Sequence, residues 1–442
     1  MEIVYYTNAM ALLKGSNSKV LFDPWVTFDR FAYNNQYNFP ESKFTKDQIK
    51  SISPDYIYIS HTHADHFDAN TLELFSKNTP IICSYYKNNF TERNLKSLGF
   101  KNVIVCEPDK FVKLNGTDKC YIYNAEKYSE VDSLGLFQID GFNILNANDV
   151  IYSENQMKKI GNQFNIDLAM VPYGYQGPYP AFYENLSEDE KKIKSEEKKI
   201  NNYKILKKYI QSLKPKYVFA FAAGVVYGGK KALDYNYYGV GNAKESIEYC
   251  KLAGLNFNEV LLNGGESFNL KTKKPSKKYV PVTYEDQINY LTHISKQKNI
   301  FEDGFIGDTL EKYLPHTEQI QDIFLIGKSY QKNLKRLLKK ARQNQYQFQK
   351  KMNYISNKSI FIDVGHEHLY RMNLNTTEVD EVKETEILDK DYEIFRCSYS
   401  LLIGMLTGHF NYSNVKTPLM SFYRKPDVFD PKVHILMSYL QL

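Results

Sequence analysis

Residues 61–68 read "HTHADHFD", so three of the nine histidines of this chain and one aspartate fall within six positions, directly after the apolar run "DYIYIS". In extended backbone, residues i and i+2 point to the same side, which lets His61 and His63 reach one metal ion. Asp65 and His66 lie where the chain turns into the helical pattern "ANTLELFS", and they can face a second ion. Mixed imidazole and carboxylate donors suit zinc or iron, one ion or two. A hydroxide held between two such ions is a nucleophile at neutral pH.

The flanking pattern sets this cluster in an α/β frame. "EIVYY" and "ALLKGSNSKVLFDPW" predict a β-hairpin entry leading to Asp23, with a turn at the Gly-Ser-Asn-Ser centre. Residues 53–110 then alternate strand, helix, strand, helix, strand, and further strands run from "CYIYNAE" to "DLAMVPY", so a second sheet is expected. Residues 182–212 have helical periodicity and a heavily charged face, read as a solvated helix or as an insertion bordering the site. A chain of 442 residues exceeds one ordinary core. The run "TKKPSKK" at 272–278 reads as a linker or exposed loop, and the expected division is a metal-binding unit over 1–290 and a helical, then α+β, unit over 291–442.

Composition excludes several classes. Hydrophobic residues at 43% and charged residues at 24% are ordinary globular values. No window approaches the roughly 18 apolar residues of a membrane span, and the N-terminus has no basic and then apolar leader, so a cytoplasmic protein is expected. Five scattered cysteines without a Cys-x-x-Cys pair predict reduced thiols. The net charge of +6 is uneven, with nine Lys or Arg and no acid between Lys328 and Lys351. Leu334, Leu337, Leu338 and Ala341 give that segment one packed helical face. Its other face is a solvated surface, or one that attracts a sugar nucleotide, an anionic membrane or RNA; nucleic acid is the weaker expectation. "HEH" at 366–368 reads as a polar strand face.

The metal loop, the preceding strand and "VLFDPW" together resemble the metallo-β-lactamase superfamily, which implies an αβ/βα sandwich of two sheets flanked by helices. The resemblance implies that Asp149, in "ILNANDV", bridges the metals. It also implies two further histidines, yet the chain has none from Phe67 to Thr292. The first should fall within "NAEKYSEVDS", where Tyr128, with Glu126 and Glu130 beside it, is the candidate oxygen ligand. The second should fall near "YVFAFAAG", which offers no ligand.

Over most of its length the chain is also similar to the non-Rieske part of the CMP-N-acetylneuraminate hydroxylases, on "YISHTHADH", "ILNANDV", "NGGESFNL" and "SFYRKPDVFDP". That resemblance implies a phosphorylated or nucleotide-linked sugar as substrate. A Rieske centre needs Cys-x-His and Cys-x-x-His, absent from these 442 residues, so an oxygenase would draw on an external electron donor. The expected function is a metal-dependent hydrolase using activated water, with His61, His63 and Asp149 on one ion, Asp65, His66 and Asp149 on the other, and Asp65 as proton acceptor. The alternatives are an O2-dependent iron hydroxylase of a sugar nucleotide and a non-catalytic sugar-nucleotide-binding subunit. Substrate contacts are expected from Tyr173 and Tyr175 in "VPYGYQGPYP", from Lys230 or Lys231 in the near phosphate-loop sequence "GVVYGGKK", and from Asn263.

Overall fold

The computed structural model describes residues 1–26, 36–63, 65–86, 90–108, 110–125, 132–175, 177–227, 233, 239, 241–296, 333–407, 412 and 420–442. Two mixed sheets face each other. The first has eight strands, ordered Lys274–Pro275, Ser267–Asn269, Glu2–Thr7, Met10–Lys14, Lys19–Phe22, Tyr56–Ile59, Ile81–Ser84 and Val103–Cys106, and its last four run parallel. The second has seven, ordered Asn258–Val260, Tyr217–Phe221, Leu168–Pro172, Phe142–Asn146, Ser133–Ile139, Lys119–Asn124 and Phe111–Lys113.

Period-two alternation builds the layers. Tyr58 points between the sheets while Ile57 and Ile59 face the helices outside. In the second sheet Leu168 and Met170 point inward, and Ala169 and Val171 meet the helices Glu154–Gln163, Glu188–Leu213 and Ala243–Leu252. Buried on both faces, these parallel strands read as unbroken apolar runs. Phe22, Tyr58 and Phe137 join the sheets, with ring centroids 4.8 to 5.9 Å apart; each such pair adds about 0.5–1.5 kcal/mol beyond burial. The expected fold class, two sheets flanked by helices, is the one observed.

A third sheet of five strands, ordered Val379–Val382, Leu369–Asn373, Ser359–Asp363, Tyr392–Arg396 and Ser421–Lys425, follows in the chain. The helices Leu334–Lys351, Tyr399–Leu406 and Pro431–Met437 share its core with Trp25, Phe182, Tyr183 and Tyr227. Residues 182–184 extend its edge: Glu184 N donates to Phe422 O (2.7 Å) and Phe422 N to Phe182 O (2.9 Å).

Three local expectations change. The long helix starts at Glu188 rather than 182, because Ser187 and Glu190 form a capping box there. "TKKPSKK" is no linker but an exposed hairpin end, in which Lys274–Pro275 pairs with Phe268 and Asn269. "HEH" lies in the bend between two strands, which Gly365 turns at positive φ, and not on a strand face. The basic segment is the helix Leu334–Lys351 with its four apolar residues buried, as expected. Among the described residues no helix is long and apolar enough to cross a membrane.

Candidate metal centre

Several strand ends open at one edge of the sandwich, where ligands of α/β sheets gather. The strand Tyr56–Ile59 runs out into Ser60 and the histidine loop, which closes through His66 N to His63 O (3.0 Å) and Phe67 N to His63 O (2.8 Å). Asp68 then caps the helix Ala69–Leu72 by accepting from Thr71 N (2.9 Å). The strand Phe142–Asn146 ends in "NAND". There Asn148 takes φ +40°, a conformation asparagine tolerates, and its side chain bonds Ser133 O (2.7 Å) and Asp149 N (3.0 Å). Asp149 is thereby aimed at the histidines.

Asp23, fully buried at φ +37°, organises the rings. It accepts from Ser60 N (2.7 Å), Ser60 Oγ (2.6 Å) and His66 Nδ1 (2.8 Å). Because the Ser60 hydroxyl gives its proton to Asp23, the His61 Nδ1–H donates to Ser60 Oγ (2.9 Å). This leaves the His61 Nε2 lone pair facing inward. His63 Nδ1 lies 2.6 Å from it, so His63 Nδ1–H can donate to that lone pair.

His66 Nε2 lies 3.1 Å from Asp149 Oδ1 and 3.4 Å from Asp65 Oδ2, and Asp149 Oδ1 is 3.7 Å from His61 Nε2. His66 Nε2 and Asp149 Oδ1 are buried without an aligned hydrogen bond. Atoms left this way are unfavourable unless a ligand takes them up. Two donor groups converge here: His61, His63 and Asp132, and His61, His66 and Asp149.

The electrostatics agree with this geometry. Burial, helped by neighbouring His66, lowers the His61 pKa to about 4; burial and His61 do the same to His63. Both rings are therefore neutral donors at pH 7. Burial also disfavours charge on His66, yet Asp149, Asp65 and Asp23 raise its pKa well above the ordinary value. Burial opposes ionisation of Asp65 and Asp149, and His66 overcomes it, holding both below the usual carboxylate range. Among the described residues no lysine or arginine pairs with Asp23, Asp65 or Asp149. The donors and the excess of negative charge fit metal ions.

His61, His63, Asp65, His66 and Asp149 are thus brought together as expected. Glu126, Tyr128, Glu130, Lys230 and Lys231 lie outside the described residues. Tyr175 Oη reaches Val150 O and Tyr209 Oη, both at 3.5 Å, beside Asp149. Tyr173 packs against the helix side of the second sheet. The Asn263 amide is committed to the Val280 backbone, at 2.7 and 2.8 Å. Sequence reasoning missed Asp132, although it lies inside the stretch where a ligand was sought, immediately before the strand Ser133–Ile139. Its signal was position alone.

A family model described as a beta-lactamase superfamily domain matches residues 2–222. Cytidine monophosphate-N-acetylneuraminic acid hydroxylase of Danio rerio is 28% identical over 231 residues, covering 50% of this chain and 38% of that protein. The chain thus spans well under half the length of this relative. Among solved structures, CmlA, a diiron β-hydroxylase from Streptomyces venezuelae, is similar at 14% identity and TM-score 0.39, over 59% of this chain and 52% of that one. Igni18, a metallo hydrolase from Ignicoccus hospitalis, is similar at 18% identity and TM-score 0.41, over 61% of this chain and 98% of that one.

Proposed function

Because the chain belongs to the β-lactamase superfamily, whose domain spans its residues 2–222, we propose that it is a metal-dependent enzyme, and specifically an iron hydroxylase of a nucleotide-linked sugar. It would consume O2 and two electrons from an external reductant. The observation that carries this reading is Asp132. With His61 and His63 it makes a set of two imidazoles and one carboxylate, a donor set that suits non-haem iron in oxygenases. The relative named as a sugar-nucleotide hydroxylase adds support for the substrate class.

In this reading His61, His63 and Asp132 would hold one ion and Asp65 and His66 the other, with Asp149 within reach of His61 and His66. A bound iron pair would supply the electron steps that O2 activation requires. Asp23 and Ser60 keep the ring nitrogens of His61 and His66 presented in the right tautomer. The chain that leaves the strand Leu168–Pro172 carries Tyr175 to a place beside Asp149 and would give a wall to the sugar nucleotide; Lys230 is proposed as a contact to its phosphate. The third sheet, taken as the core of a second unit over 291–442, braces the far end of that wall through residues 182–184.

Hydrolysis is the second reading, because two histidines and a carboxylate also hold zinc in hydrolases and Asp65, 3.4 Å from His66 Nε2, can accept a proton from water. Asp132→His separates the two. Exchanging the carboxylate for a third imidazole should shift metal preference from iron toward zinc by roughly tenfold or more, read by competition between Fe(II) and Zn(II) under anaerobic conditions, and should abolish O2 uptake. An unchanged preference would remove Asp132 from the ligand set and with it the reason to favour oxygen chemistry.

A further inference from the structure

The strand end that could complete the second ion position, Tyr217–Phe221 with its following bend, brings no ligand side chain there. It brings a backbone N–H instead, and Asn8 receives it. Asn8 sits at the bend between the strands Glu2–Thr7 and Met10–Lys14, only 1% exposed, at φ +42°. Its Oδ1 accepts from Gly224 N (3.1 Å), and its Nδ2 lies 3.3 Å from both Asp65 O and Asp65 Oδ2. The amide orientation follows from chemistry: Gly224 N–H can only donate, so the oxygen must face it and the NH2 must face Asp65. Asn8 O also accepts from Ala222 N (3.2 Å). Phe39 N donates to Gly224 O (2.8 Å) and ties the bend that Asn8 grips.

We propose that Asn8 is a positioning residue that aims the Asp65 carboxylate at the second ion, and so sets the affinity of that position without touching the first. This rests on the metal reading above. Asp65 Oδ2 faces His66 Nε2 on one side and the Asn8 amide on the other. An amide donor to one lone pair fixes the plane of the carboxylate and leaves its other lone pairs for a cation. Partners of this kind commonly change metal affinity by about 10–100-fold. No residue near Asp65 in the chain would suggest it, since 57 positions separate the two.

The test uses Co2+ as probe on the full chain. Asn8→Gly keeps the left-handed backbone without strain and deletes only the amide. Titration followed by visible absorption and equilibrium dialysis should show the first Co2+ bound as in the wild type and the second weakened by at least about tenfold. Retention of the first ion reports that the fold is intact. Should Asn8→Gly not fold, Asn8→Ser, whose shorter side chain also loses the contact to Asp65 but keeps a polar group in the buried bend, is read the same way. Two ions bound with wild-type affinity in the variant would overturn the role of Asn8 alone. A wild-type protein that takes up no Co2+ would overturn the metal reading, and the role of Asn8 with it.

Discussion

Two buried charged clusters, one at the edge of the sandwich and one in the third sheet, solve the same electrostatic problem differently. Around the histidine loop, Asp23, Asp65 and Asp149 have imidazoles as their ionic partners, and two of the three rings are held neutral. In the third sheet, Glu393, fully buried, sits opposite Arg424 on the neighbouring strand. It accepts from Tyr183 Oη (3.1 Å) and lies 3.4 Å from His434 Nε2. Arg424 is stacked between the Tyr179 and Tyr183 rings at 4.4 and 4.5 Å and donates to Asp427 (2.7 Å). The second cluster carries its cation as part of the chain. The first has only His66 held protonated among its three carboxylates, a titratable cation that a metal ion can replace, and this difference separates a structural seam from a candidate site.

Reciprocal substitutions should expose that difference most strongly. His61→Ala removes the nitrogen common to both donor groups; metal affinity measured by dialysis should fall by roughly a hundredfold or more, with little effect on unfolding of the metal-free protein. Arg424→Met should do the opposite, costing about 3 kcal/mol in urea unfolding, because it leaves Glu393 and Asp427 without their guanidinium, while metal content stays at the wild-type level. Loss of metal in Arg424→Met would mean that the seam and the site are not separable.

A smaller effect concerns acid. Burial alone would raise the Glu393 pKa, but His434 and then Arg424 pull it below its ordinary value. A carboxyl depressed in the folded state adds stability that is complete above the unfolded pKa, near 4.5, and is lost as pH falls through the folded value. Glu393→Gln should therefore flatten the acid limb of the stability profile below about pH 4.5. A variant that follows the wild-type profile would show that Glu393 is not held ionised by the seam.

The sandwich was legible because its parallel strands are continuous apolar runs and its metal loop follows one of them directly. Asp149 was singled out only through the family resemblance that "ILNANDV" carries. Asp132 was not, because a carboxylate among Glu126 and Glu130 carries no periodic signal and only the pairing of Ser133 with Ser60, N to O at 3.1 Å, brings it to the histidines. Asn8 was hidden for the same reason: its partners Asp65 and Gly224 meet it only in the folded chain. The seam of Tyr183, Glu393 and Arg424 joins residues about 200 positions apart, beyond any local pattern.

The proposed function makes the histidine cluster an iron site. Metal analysis of protein purified without an affinity tag, followed by anaerobic reduction and exposure to O2 under a visible-region spectrum, tests it directly. Two irons per chain, with a chromophore that changes on contact with O2, is the predicted result. Stoichiometric zinc with no response to O2 would contradict the hydroxylase, and a folded protein free of any metal would contradict the site.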